Sequence, residues 1–165
     1  MPLPQLALLH GEDDFAIAER VTQIKTEMGD PSTASLNTAE FDGRTVTLPE
    51  LRSACDTMPF LSERRLIIVR GLLTRLTGKP EDGEEGEEAA SGSSQEFTDG
   101  LIEYIADLPP TSSLVLIESK ALNERSRVLK AAAKASGAEI RKFDVPQGIE
   151  LARWIMRRAK TVGGE

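Results

Sequence analysis

One cysteine, one histidine, one tryptophan and one tyrosine in 165 residues leave this sequence short of most side chains that do covalent or metal chemistry. A lone cysteine, Cys55, cannot close an internal disulfide, so the chain reads as one kept in a reducing compartment, and a cytoplasmic location is expected. Cys55 as a nucleophile would need His10 as its base. The alternative is a small apolar residue packed in a core, where free cysteines are commonly found. Aromatic residues make up only 4%, so any core must be built of Leu, Ile, Val and Ala. No apolar run approaches the ~20 residues of a membrane span. The start, Met1-Pro-Leu-Pro4, lacks the basic residues that open a signal peptide. A soluble protein without membrane contact is expected.

Positive charge is also in deficit. The formal net charge of −7 argues at first sight against nucleic acid as a partner. The acid is unevenly placed, however. Residues 78–95 carry Glu81, Asp82, Glu84, Glu85, Glu87 and Glu88 against Lys79, a local net of −5, which leaves −2 for the rest of the chain. That segment also holds four glycines, three serines and no aliphatic side chain larger than alanine. It has too little apolar surface to offset its ordering entropy, so a mobile acidic insert over 78–95 is expected.

The remainder alternates strand and helix five times. An apolar run over 5–9 predicts a buried strand; Ile17, Val21, Ile24 and Met28 then share one face of a helix over 14–28. Asp13 or Asp14 can cap that helix, and Gly29 with Pro31 stops it. A weaker strand over 36–41 precedes a helix over 48–56 with Leu48, Leu51 and Cys55 aligned. The runs over 65–69 and 113–117 are apolar at every position after Arg65 and Ser113, without polar alternation, the signature of strands buried on both faces of a parallel sheet. Ser93-x-x-Glu96 resembles a capping box opening a helix that carries Phe97, Leu101, Tyr104, Ile105 and Leu108 and ends at Pro109. A helix over 124–136 and a strand over 138–143 follow. Ile149, Ala152, Ile155 and Ala159, with Trp154 beside them, mark a last helix. The expected fold is α/β: a mostly parallel five-stranded sheet with flanking helices.

Ligands of such folds bind at the carboxyl ends of the strands. The first of these ends, Leu9-His-Gly-Glu-Asp-Asp14, offers one glycine, no lysine, no hydroxyl and three carboxylates. A phosphate loop needs glycines for close backbone approach, a lysine for the phosphates and a hydroxyl for magnesium. No phosphate loop is expected, and no nucleotide or other cofactor. Glu12, Asp13 and Asp14 could instead hold magnesium as in a phosphorelay receiver domain, but such a domain needs an acceptor Asp after the third strand, where Arg70-Gly71 stands. Helix capping accounts for the three acids equally well. A nucleotide-binding ATPase-like domain and a receiver-like domain therefore remain as alternatives. Arg153, Arg157, Arg158 and Lys160 form a basic face, read as solvated rather than as a DNA site.

One segment has an unusual composition. Met58-Pro-Phe-Leu-Ser-Glu-Arg64 joins an amphipathic helix to the strongest strand, and connections are ordinarily polar. Pro59 stops the helix, so Met58, Phe60 and Leu61 leave the helical face. Either Phe60 and Leu61 cover the core, or they form an exposed apolar wedge of the kind that marks a partner site.

Several segments together resemble the delta subunits of bacterial DNA polymerase III clamp loaders. These are Leu8-Leu-His-Gly-Glu-Asp-Asp-Phe15, Asn37 with Phe41-Asp-Gly43, and Thr57-Met-Pro-Phe-Leu-Ser-Glu-Arg-Arg-Leu-Ile-Ile-Val69. The later segments at 113–117, 125–127 and 149–155 follow in the same order. The resemblance implies a degenerate AAA+ ATPase fold without nucleotide binding over 1–145, and a non-catalytic subunit of the polymerase holoenzyme. It implies that the sliding clamp (the beta subunit) is bound through Met58, Pro59, Phe60, Leu61, Ser62 and Arg64, with Phe60 and Leu61 as the wedge that helps spring the ring open. The other loader subunits would be partners of the full-length protein, and DNA would be met through the loader. The sequence stops at Thr161-Val-Gly-Gly-Glu165, so 146–165 are expected to begin a truncated helical second domain.

Overall fold

Five strands, each parallel to its neighbours, run through the centre of the molecule in the order β2-β3-β4-β1-β5. The computed structural model describes residues 3–77, 87–145 and 148–163. The strands are β1 (Leu6–Gly11), β2 (Thr38–Asp42), β3 (Arg65–Arg70), β4 (Ser112–Glu118) and β5 (Ala138–Phe143). The helices are α1 (Asp14–Glu27), α2 (Pro31–Leu36), α3 (Leu48–Asp56), α4 (Leu72–Thr77), α5 (Glu87–Ala106), α6 (Arg127–Lys134) and α7 (Ile149–Thr161).

Strand alternation divides the core into two layers. Leu6, Leu8, Ile67, Val69, Leu114 and Leu116 face α3 to α6, where Leu51, Cys55, Leu101, Tyr104 and Val128 meet them. Ala7, Leu9, Leu66, Ile68, Val115 and Ile117 face α1 and α2, against Ile17, Val21, Ile24, Met28 and Ala34. Both faces are covered, which is why β3 and β4 are apolar without alternation. Edge strand β5 is tied to α1 by the Arg20 guanidinium, which donates to both oxygens of Glu139 at 2.9 and 3.0 Å.

Four local features differ from the sequence reading. Helix α2 was not expected, because Pro31 reads as the stop of α1. It is also the first residue of a new helix, where proline costs nothing, and Asp30 caps it through the Thr33 amide. Helix α4 likewise has no local signal, since its first turn is held by Glu118 from β4. The helix expected to open at Ser93 already runs from Glu87. Ala89 and Ala90 are strong helix formers, which is a local reason for the earlier start. The rest of the expected acidic insert, 78–86, lies outside the described residues. Finally, α6 begins at Arg127, with Ser126 as its cap, rather than at Glu124.

Helix α7 turns differently from its pattern. Ile149, Ile155 and Met156 are exposed, and no α7 residue is fully buried. Contact with the sheet domain runs through Arg158 instead. Its guanidinium lies 4.1 Å from the Phe15 ring centre and 5.3 Å from that of Trp154, and it pairs with Glu19 at 2.9 Å. Arg158 is therefore engaged within the chain and not part of a free basic face.

Candidate functional site

The sheet has two ends, and they are built very differently. At the carboxyl end the crossover from β1 reaches β2 on one side, while that from β4 reaches β5 on the other. The switch point, where α/β folds usually take a ligand, thus lies between β1 and β4. Here the chain fills it itself. His10 is buried, and its Nδ1 accepts the Leu122 amide at 3.0 Å. Burial, helped by Lys142 and opposed by Asp144, holds its imidazole below the ordinary pKa, as befits a neutral acceptor. Glu118 is fully buried beside it in the sheet. One carboxylate oxygen accepts from the Leu73 amide at 2.7 Å, the other from the Thr74 amide at 3.1 Å and the Thr74 hydroxyl at 2.6 Å.

Only Glu12 and Asp13 connect β1 to α1, too few residues to wrap a phosphate chain. Asp13 accepts the Ala16 amide as the α1 cap, and its own amide donates to the Phe143 carbonyl at 3.1 Å. Gly11 approaches β5 so closely that a methyl group there would stand 2.1 Å from the same carbonyl oxygen. Among the described residues no three His, Cys, Asp or Glu side chains converge in a way that would hold a metal ion. Titration calorimetry with ATP and magnesium is expected to give no heat of binding at micromolar concentrations; a micromolar Kd would mean that this end opens.

Cys55 cannot meet His10. It lies in α3 near the amino end of the sheet, fully buried, and burial followed by the charge of Asp56 pushes its thiol up to about 12. It is a core residue.

The amino end carries the apolar connection between α3 and β3. Helix α3 stops at Asp56, and Thr57 takes an extended conformation (φ −67°, ψ 130°) at its end. Met58 is 72% exposed, Phe60 59% and Leu61 80%. The two alternatives left open by composition are thereby separated, because neither Phe60 nor Leu61 joins a core cluster. Leu61 is also the one non-glycine residue with positive φ, at +53°, among those described. Pro59 is half-buried.

The polar members of the run hold the loop from inside. Ser62 Oγ donates to the Arg64 carbonyl at 3.1 Å, and Arg64 Nη1 donates to the Leu3 carbonyl at 2.6 Å. Both side chains are half-buried. The structure therefore groups Met58, Phe60 and Leu61 as an outward apolar surface and sets Ser62 and Arg64 behind it as braces. A shallow groove lined by Leu3, Met28, Thr33, Leu61 and Arg64 runs beside the loop. Sequence reasoning assigned no role to Asn37, whose buried side chain contacts the backbone of Phe60. Its place in the family resemblance singled the residue out, but its burial and its bonds to Phe60 are visible only in the fold.

Comparison with known proteins places this arrangement in context. The family described as DNA polymerase III, delta subunit, matches residues 8–140. The chain is 30% identical over 127 residues to DNA polymerase III subunit delta of Bacillus subtilis (strain 168), which covers 76% of this chain and 34% of that protein. It thus spans about a third of the length of the curated relative it matches. The solved Bacillus subtilis DNA clamp loader delta protein superposes with a TM-score of 0.73 at 25% identity, over 97% of this chain and 44% of that one. A DNA polymerase III gamma subunit-related protein from Thermotoga maritima shares the fold alone, with a TM-score of 0.54 at 14% identity over 94% of this chain and 46% of that one.

Proposed function

The chain belongs to the DNA polymerase III delta subunit family, and from that premise we propose that it is a clamp-loader subunit that binds the sliding clamp through Met58, Phe60 and Leu61 and helps open the ring for loading onto DNA. It acts as a non-catalytic subunit of the holoenzyme in the cytoplasm. The other loader subunits are partners of the full-length protein, and DNA is reached through the assembled loader. Residues 146–165 begin a second, helical domain in this reading.

One observation carries the proposal. Leu61 holds a left-handed backbone conformation with its side chain 80% exposed. Left-handed φ costs a non-glycine residue roughly 1–2 kcal/mol. Burial returns nothing to the folded monomer here, so neither local propensity nor the core accounts for a leucine at this position. Strain kept in an exposed segment is characteristic of sites whose use lies outside the monomer. A partner pocket that buries Leu61 and Phe60 does account for it.

The wedge acts as a population shift. It holds a ring interface open only to the extent that it binds the opened clamp more tightly than the closed one. Phe60 and Leu61 sit on a loop anchored to the sheet rather than on a flexible tail, so little ordering cost opposes that preference.

The proposal separates stability from binding at a single residue. Leu61→Gly relieves the φ strain and removes the wedge. Thermal denaturation is expected to show a Tm unchanged or slightly raised, while affinity for the cognate sliding clamp falls about tenfold or more, one large apolar contact being worth ~1.5–3 kcal/mol. A clamp affinity equal to that of the native chain would remove Leu61 from the interface.

A further inference from the structure

We propose that Asn37 is the positioning residue of the clamp-binding loop, fixing the peptide plane between Phe60 and Leu61 so that the wedge is already formed before the clamp arrives. The inference rests on the clamp-binding reading of that loop. Asn37 is completely buried, yet every polar group it carries has a partner. Its Nδ2 donates to the Phe60 carbonyl at 2.6 Å and to the Thr33 carbonyl at 2.9 Å, and its Oδ1 accepts the Phe60 amide at 2.6 Å. Its backbone amide closes the end of α2 on Thr33 and Ala34, and its carbonyl accepts the Leu66 amide at 2.8 Å. The residue therefore locks α2, the start of β3 and the loop to one another.

The two bonds to Phe60 resemble one rung of a β-ladder, made by a side chain across 23 residues of sequence. Both go to backbone atoms, so they do not depend on which side chain stands at position 60. The Phe60 carbonyl belongs to the peptide plane that sets φ of Leu61. Holding that oxygen holds Leu61 at +53°. Released, the plane would rotate toward the relaxed region and carry the Leu61 side chain with it. An apolar core position could be filled by leucine at no polar cost. A buried amide that spends two of its three side-chain bonds on one loop is explained by what the loop must present.

The test begins in the free protein. Hydrogen exchange by NMR is expected to find the Phe60 amide slowed about a hundredfold or more over an unstructured chain, and the Leu61 chemical shifts to report positive φ. A Phe60 amide that exchanges freely in the native chain overturns the proposal, and this measurement needs no variant. In Asn37→Ala the Phe60 protection and the Leu61 signature should be lost while the Ile68 amide in the central strand stays protected. Clamp affinity should fall roughly ten- to a hundredfold, the scale of one or two lost hydrogen bonds plus loop ordering. Asn37→Asp keeps the acceptor for the Phe60 amide but not the donor to its carbonyl, so it should retain the protection and still lose affinity. A folded Asn37→Ala with native affinity overturns the positioning role alone. A native chain that does not bind the clamp overturns the reading beneath it, whatever the Phe60 amide shows.

Discussion

Changing Phe60 and Leu61 together to alanine is expected to weaken binding to the cognate sliding clamp by roughly two to four decades. The magnitude follows from burying two large apolar side chains at ~1.5–3 kcal/mol each, or ~3–6 kcal/mol for the pair. The fold should be indifferent. Phe60 and Leu61 are 59% and 80% exposed and absent from both core clusters. The Asn37 grip is on the Phe60 backbone and survives any side chain at that position. Alanine in the left-handed region is no worse than leucine. Circular dichroism and a melting curve close to those of the native chain should therefore accompany the loss of affinity in a surface-binding assay. If the double variant instead unfolds, these side chains serve the core after all. If it folds and binds normally, the clamp docks elsewhere.

How much of this could be read before the fold was known differs from element to element. Strands β3 and β4 were legible because a sheet covered on both faces demands apolar residues along its middle, and residues 66–69 and 114–117 are unbroken apolar runs. Helix α2 was hidden because one residue, Pro31, carries two opposite local meanings, and only the Asp30 cap decides between them. Helix α4 was hidden for a different reason. The carboxylate that satisfies its first turn comes from Glu118, 44 and 45 residues further along the chain. No window of local sequence contains that information.

The site shows the same division. An apolar run in a connection, with a proline to break the helix before it, was visible in the residues themselves. Whether those side chains turn inward or outward was not, because a tertiary contact settles it. The Asn37 amide approaches Phe60 from another strand–helix junction, and φ of Leu61 follows from that contact. The resemblance to clamp-loader delta subunits named Phe60 and Leu61 as the wedge. It also named Ser62 and Arg64, which lie behind the apolar surface and bond to the loop and to Leu3. A motif records which residues occur together, and it does not distinguish those whose side chains face outward from those that bond back to the chain.

The second large effect is expected at the opposite end of the sheet, from Gly11→Ala. In the sequence this glycine is the sole glycine of a would-be phosphate loop, but its role here is packing. Gly11 pairs with Phe143 at the end of the β1–β5 ladder with φ +132°. A methyl group would lie 2.1 Å from the Phe143 oxygen, 2.7 Å from its carbonyl carbon and 2.8 Å from its nitrogen. All three are backbone atoms, so no rotamer change relieves the clash. Either β5 must move away from β1, stretching the Arg20–Glu139 tie, or the end of β1 must peel back and release the Asp13 amide from the Phe143 carbonyl. Steric conflict of this kind belongs with the large destabilisations, about 3–5 kcal/mol, or a fall in Tm on the order of 10 °C for a chain of this size. Gly29→Ala provides the control. Gly29 also has positive φ, +96°, but nothing lies within 4 Å of its added methyl, so only the conformational cost of ~1–2 kcal/mol applies. Differential scanning of the two variants isolates the contact from the backbone preference. A Gly11→Ala melting curve that coincides with that of Gly29→Ala would show that β5 yields freely, and would reopen this end of the sheet to a ligand. With the clash confirmed, the variant should still bind the clamp below its lowered Tm, since the wedge lies at the other end of strands that remain paired.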